Sequence, residues 1–200
     1  MKNKIKIITM AEIAIFAAIG FVLDLLASLY SGFFPFGGSI SFALVAVVII
    51  SLRRGVGAGV CCGLIIGLLD LTDGFYTVSD TWYNSIFQIG LDYVFCYMLI
   101  GLVGFLKPLF KKVNSTLLIT LTTILSGFIK YFIHFLSGVL YWPEFEGQPF
   151  LERVIYSIGY NGGYMIPTII VCAVAAFLLS LKFKSLFLLE KIKWIIETVD

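Results

Sequence analysis

Six runs of apolar residues divide this chain: Ile7–Tyr30, Ser39–Leu52, Val56–Thr72, Ile86–Leu106, Leu117–Trp142 and Ile155–Leu181. About 20 apolar residues cross the hydrocarbon of a bilayer as a helix, and most of these runs reach that length. None alternates apolar with polar positions as a membrane barrel strand does, and lipid offers no partner to an open strand edge, so each run is predicted to be a helix. The second and third runs are short and rich in Gly or Ser, which makes their ends soft and a tilt or break there expected. The first run has no small-residue cleavage site behind a short apolar core and is read as a retained helix, not a signal peptide.

Composition removes the soluble alternative. Of the 200 residues, 60% are hydrophobic and 13% charged, with a mean hydropathy of +1.03; a water-soluble protein of this size has no interior large enough for that much apolar surface. The expectation is an all-α integral membrane protein, one domain over residues 1–200, with six transmembrane helices and little mass outside the bilayer. Charge sets the orientation. Lys2, Lys4 and Lys6 precede the first run, and Arg53 and Arg54 separate the second and third. Lys107, Lys111 and Lys112 follow the fourth, and Lys182, Lys184, Lys191 and Lys193 follow the sixth. The other connections hold Arg153 as their one basic residue, beside Asp73, Asp80, Glu144, Glu146 and Glu152. Lys and Arg mark cytoplasmic loops, so both termini are expected in the cytoplasm. The net charge of +2 thus reports topology and gives no reason to invoke nucleic acid. Cys61, Cys62, Cys96 and Cys172 all fall in apolar runs and read as small buried hydrophobes. Adjacent Cys61 and Cys62 point about 100° apart on a helix and do not chelate one ion easily. No nucleotide-binding or hydrolase motif is present, and neither a metal nor a cofactor is expected.

What remains is polar chemistry at membrane depth. Glu12 and Asp24 lie on the first run, Asp70 on the third, Asp92 on the fourth, and Lys130 with His134 on the fifth. Glu12, Asp24 and Asp70 sit near run ends, where water is close, and are read as structural. Asp92 and His134 are deeper, each about two turns from the outer end of its helix, and Lys130 lies one turn below His134. An ionisable group inside a span marks a functional site by default; the plainer alternative is that Asp92 pairs with His134 or Lys130 and only joins two helices. Trp82, Tyr83, Tyr93, Tyr141, Trp142, Tyr156, Tyr160, Asn161 and Tyr164 gather at the same level. An interfacial belt explains some of these aromatics. A carboxylate, an imidazole and an amide among them describe instead a pocket open to the outside, suited to a small, flat, positively charged ligand.

These residues carry a resemblance. Lys130 to Trp142, Tyr156 to Pro167, the turn Leu52 to Gly59 and the Leu91–Tyr93 stretch resemble the thiamine-specific substrate-binding (S) subunits of energy-coupling factor (ECF) transporters, over nearly the whole chain. The resemblance implies the six-helix S-component fold and a thiamine pocket. Asp92 matches the acidic position facing the thiazolium, where some relatives have Glu. His134, Trp142, Tyr156 and Asn161 match stacking and hydrogen-bonding positions, Tyr93 an aromatic beside the acid, Lys130 a basic position, and Trp82 an aromatic that is commonly Tyr. The loop Ser31–Phe36 would be the lid. Ala14 and Ala18 form a small-xxx-small pair which, by resemblance, docks on the membrane-embedded coupling subunit, while two ATP-binding cassette subunits hydrolyse ATP.

The function so implied is thiamine uptake across a prokaryotic cell membrane without catalysis by this chain. Two rivals remain at this point. One is an S subunit for another ligand, such as a pyrimidine precursor or riboflavin; the other is an intramembrane enzyme using His134 with Asp92 or Ser137, for which no nucleophile turn or oxyanion motif is seen.

Overall fold

In the computed structural model, residues 2–29, 31–34, 38–78, 81–110, 112–141 and 147–189 are described. Among them the chain is all helical: α1 (Lys2–Ser28), α2 (Ala43–Arg54), α3 (Val56–Asp73), α4 (Trp82–Leu109), α5 (Ser115–Tyr141), α6 (Phe150–Lys182) and a short α7 (Lys184–Phe187). Five of these helices, α1 and α3 to α6, are long and apolar enough to cross a membrane. Their outer faces carry exposed Ile15, Ile19, Val22, Phe128, Phe132, Ile170 and Val174, which is the surface lipid requires.

The second apolar run behaves differently. Its helix has 12 residues, about 18 Å at 1.5 Å per residue, too short to span. Ala43 to Leu52 are all buried, and α2 packs against each of the other six helices. The chain reaches it through non-helical backbone at residues 38–42, which survives at membrane depth only where protein or a polar cavity satisfies it. Here α6 does so: Thr168 Oγ1 donates to the Ser39 carbonyl (3.3 Å) and Cys172 Sγ to the Ser41 carbonyl (3.2 Å). The Ser41 hydroxyl accepts from the Ala43 N–H at 3.1 Å. Gly38 begins this segment at φ +106°, and a Cβ there would stand 2.6 Å from the Tyr164 ring, so both conformation and space demand glycine.

Glycine also explains the third run. Gly59, Gly63 and Gly67 recur at four-residue spacing on one face of α3, and added Cβ atoms would lie 3.0 Å from Gly101 Cα, 2.2 Å from the Tyr97 carbonyl oxygen and 2.4 Å from the Tyr93 carbonyl oxygen. α3 and α4 therefore meet backbone to backbone, the small-residue packing that replaces hydrophobic drive inside lipid. The residues that make this run look soft in sequence are its tightest contact.

At the end of the bundle where basic residues collect, Glu12 holds both arginines of the α2–α3 turn. Arg53 and Arg54 each donate Nε and a terminal nitrogen to its carboxylate, at 2.7 to 3.1 Å, and Arg53 also reaches the Ser185 carbonyl. One carboxylate thus ties α1, α2 and the C-terminal turn together. Glu12→Ala is expected to lower stability by about 1–3 kcal/mol, seen as a thermal midpoint several degrees lower in detergent; an unchanged midpoint would mean the clasp is ornamental.

Candidate functional site

The opposite end of the bundle encloses a cavity of about 350 Å³ between α1, α3, α4, α5 and α6, within the range of small-molecule sites. Its chemistry is organised by a local irregularity in α4. Over Gly90–Phe95 that helix widens to a π-helical turn, a rare form that is frequent at functional sites. The Cys96 N–H bonds the Leu91 carbonyl five residues back, and the Cys96 thiol donates to the Asp92 carbonyl at 2.9 Å. The turn carries Asp92 and Tyr93 on the cavity wall.

Asp92 faces α5. Its Oδ1 lies 3.7 Å from His134 Nδ1, with side-chain exposures of 21% for Asp92 and 14% for His134, too long for a hydrogen bond. The Ser137 hydroxyl faces the same carboxyl group. Gln88, one turn before Asp92, accepts with its carbonyl from Thr77 Oγ1 (3.0 Å) and the Val78 N–H (3.1 Å). That fixes its amide orientation, so Nε2 points to Asp92 Oδ2 at 3.5 Å. The carboxylate is thus enclosed by neutral or weakly bonded partners, and among the described residues no arginine or lysine pairs with it.

α6 supplies the aromatic wall. Tyr156, Tyr160 and Tyr164, at four-residue spacing, all line the cavity. Tyr156 and Tyr160 stack at 5.8 Å with planes 7° apart, and Tyr160 meets Tyr164 edge-on at 6.2 Å. Tyr164 also packs edge-on against His134 (5.9 Å) and Phe34 (5.6 Å). Its hydroxyl donates to Asn161 Oδ1 at 2.6 Å, and Asn161 Nδ2 donates to the Ser157 carbonyl and hydroxyl. A Cβ on Gly138 would stand 2.4 Å from Ser157 Oγ, so close approach of α5 to α6 sets this wall. Tyr93 is held from its other side, its hydroxyl accepting the Tyr76 N–H at 2.8 Å.

Of the residues singled out in sequence, Asp92, Tyr93, Lys130, His134, Tyr156 and Asn161 line this one cavity. Trp82 does not; it is 75% exposed and packs edge-on against Tyr83. Trp142 and residues 35 and 36 of the expected lid lie outside the described residues. Lys130 turns from Asp92 toward α1 and α3, with Nζ 3.7 Å from the centroid of the Tyr97 ring. The sequence reading missed Gln88, Tyr97 and Ser157. It also gave Asp24 and Asp70 a hydrated, structural place, whereas both line the cavity and Asp70 is buried. Their distance from the run ends was the misleading signal: the cavity penetrates deeper than two turns. Among the described residues no group of His, Cys, Asp and Glu is arranged to hold a metal.

The family model described as "Thiamine transporter protein (Thia_YuaJ)" matches residues 10–188. The chain belongs to this thiamine transporter family. Similar proteins include the thiamine transporter ThiT of Bacillus subtilis, 29% identical over 188 residues, covering 90% of this chain and 93% of that one. The ThiT of Lacticaseibacillus paracasei is 26% identical over 149 residues, 70% of this chain and 73% of that one. Among solved structures, ThiT of Listeria monocytogenes superposes with a TM-score of 0.71 at 26% identity, covering 92% of this chain and 98% of that chain. With bacterial relatives and five membrane-capable helices, this family member is a multi-pass bacterial cell-membrane protein, and its family is one of transporters, not enzymes.

Proposed function

We propose that this chain is the high-affinity thiamine-binding subunit of an ECF importer for vitamin B1. The observation that carries the reading is Asp92: a carboxylate on a π-helical turn, screened from water and beside a wall of tyrosines. Thiamine brings a fixed positive charge on a flat ring, which gains both an ion pair and π faces in exchange for its hydration. Tyr156, Asn161, His134 and Tyr93 provide stacking surface and directional hydrogen bonds. Trp142, the residue after α5 in sequence, joins this group by the family resemblance alone.

The chain carries no ATP-hydrolysing motif, so transport needs partners: a membrane-embedded coupling subunit and two ATP-binding cassette ATPases. Ala14 and Ala18 are both exposed on α1, beside exposed Met10, Ile15 and Val22. This small-residue face is where the coupling subunit docks in our reading, while Ala17 and Gly20 turn inward against the bundle.

Fluorescence titration of the purified subunit with thiamine, its pyrimidine precursor and riboflavin tests the ligand. Saturation by thiamine in the nanomolar to micromolar range, with the others at least about 100-fold weaker, is expected for a site that needs the cation. Silence toward thiamine with a response to another compound would assign the cavity to that compound.

A further inference from the structure

Gln88 lines the cavity at 3% exposure, four residues before Asp92 on α4. Its carbonyl is taken by the segment that follows α3, through Thr77 Oγ1 and the Val78 N–H. A backbone N–H can only donate, so the carbonyl end faces that segment and the NH2 end faces Asp92 Oδ2. Tyr93, one residue beyond Asp92, holds the same segment by accepting the Tyr76 N–H. The segment is not remote from the ligand space, since Gly74, Phe75 and Tyr76 form part of the cavity wall. Gln88 thus reaches from this outer rim to the carboxylate.

We propose that Gln88 is a positioning residue for thiamine, aiming the Asp92 carboxylate at the cation and tying it to the rim; this rests on the thiamine reading above. Fastening the rim uses only an acceptor, which a glutamate here would also supply. A glutamate would, however, set a second carboxylate against Asp92. The amide offers an acceptor outward and a donor inward. On its other side Asp92 meets the Ser137 hydroxyl and, at 3.7 Å, His134 Nδ1, both from α5. With Gln88 in place the carboxylate is braced between α4 and α5 before the ligand arrives, so binding does not have to order it. A neutral ring in the same place would gain little from that aim, because a carboxylate attracts it only weakly.

Equilibrium titrations with thiamine and with 3-deazathiamine, an isostere whose thiazolium is replaced by a neutral thiophene, test this. Each variant is read as the ratio of the two affinities within one preparation, which loss of folded material does not alter. Gln88→Met keeps the volume and removes both hydrogen-bonding ends; thiamine is expected to bind about tenfold more weakly, and the isostere within about threefold of wild type. Thr77→Val removes one of the two donors to the Gln88 carbonyl from outside the cavity wall. It is expected to shift the ratio the same way by about threefold. In an Asp92→Asn background, Gln88→Met is expected to change thiamine affinity less than about threefold, because the group it positions no longer carries the charge. Equal weakening of both ligands by Gln88→Met would make Gln88 a part of the cavity's shape and overturns the proposal. So do unchanged ratios in both variants, or a full loss in the Asp92→Asn background. If Gln88→Met yields no folded protein, Thr77→Val decides alone, and an unchanged ratio overturns the proposal. A wild type that binds no thiamine overturns the underlying reading instead, and that is seen before any variant is made.

Discussion

Asp92→Asn is expected to weaken thiamine binding by about 100- to 1,000-fold, roughly 3–4 kcal/mol, while leaving the unliganded protein about as stable as the wild type. The substitution preserves shape and removes one charge. In the free protein that charge is met by neutral groups: the Ser137 hydroxyl, Gln88 Nε2 at 3.5 Å and the His134 imidazole at 3.7 Å. None is an ion pair with a permanent cation, so little native stability depends on the negative charge. Bound thiamine changes this, since a fixed positive charge in a water-poor cavity gains most from the one carboxylate nearest to it. Asp92→Glu keeps the charge and is expected to stay within about tenfold, with the longer side chain relocating the cation slightly. The measurement is a pair of titrations and a thermal melt. If Asp92→Asn retains affinity within threefold but melts early, Asp92 is a residue that pairs α4 with α5, and the site assignment is wrong.

The second large effect is steric and concerns residues with no chemistry of their own. Gly67→Ala is expected to destabilise the protein by about 3–5 kcal/mol and to reduce thiamine affinity more than 100-fold in what remains folded. The new Cβ would meet the Tyr93 carbonyl oxygen at 2.4 Å and Val94 Cα at 2.8 Å. These are backbone atoms, so no rotamer change relieves the clash; α3 and α4 must separate, and the π-helical turn that presents Asp92 and Tyr93 moves with them. Gly63→Ala, with its Cβ 2.2 Å from the Tyr97 carbonyl oxygen, should behave alike. Two controls grade the effect. At Gly127 the obstacle is the Ile169 side chain at 2.3 Å, which can change rotamer, and a loss of about 1–2 kcal/mol is expected. At Gly57 an added Cβ meets nothing within 4 Å, and alanine should stabilise that helix by up to about 1 kcal/mol. Thermal melts that rank all four substitutions alike would show that the glycine stripe is not a packing seam.

How much of this was legible beforehand differs between fold and site. Helical class and membrane residence follow from long apolar runs, because lipid leaves the backbone few other choices. The length and burial of α2 do not: Ser39–Leu52 is apolar for the same reason a spanning helix is, and only its contacts with every neighbour reveal a short interior helix behind an extended lead-in. Asp92 and His134 were legible as a pair since depth along two antiparallel helices can be counted in turns. Their joint position with Tyr93, Tyr156 and Asn161 in one cavity follows from the same counting, together with the four-residue spacing of tyrosines on α6. Lys130 was legible as an inner basic residue but not in its direction, which depends on Tyr97 and on carboxylates from α1 and α3. Asp24 and Asp70 escaped because nearness to a helix end suggests hydration, and that inference fails where a cavity enters from the same end. The π-helical turn left no mark in the sequence that hydropathy could detect; Gly90 at its start is its one local hint.

The structure of the subunit saturated with thiamine tests the central claim most directly. The account predicts thiamine inside the cavity at the end opposite Arg53 and Arg54, its thiazolium within about 5 Å of the Asp92 carboxylate and its rings against the tyrosines of α6. Thiamine bound elsewhere, or held in the cavity with its cation turned away from Asp92, would contradict it.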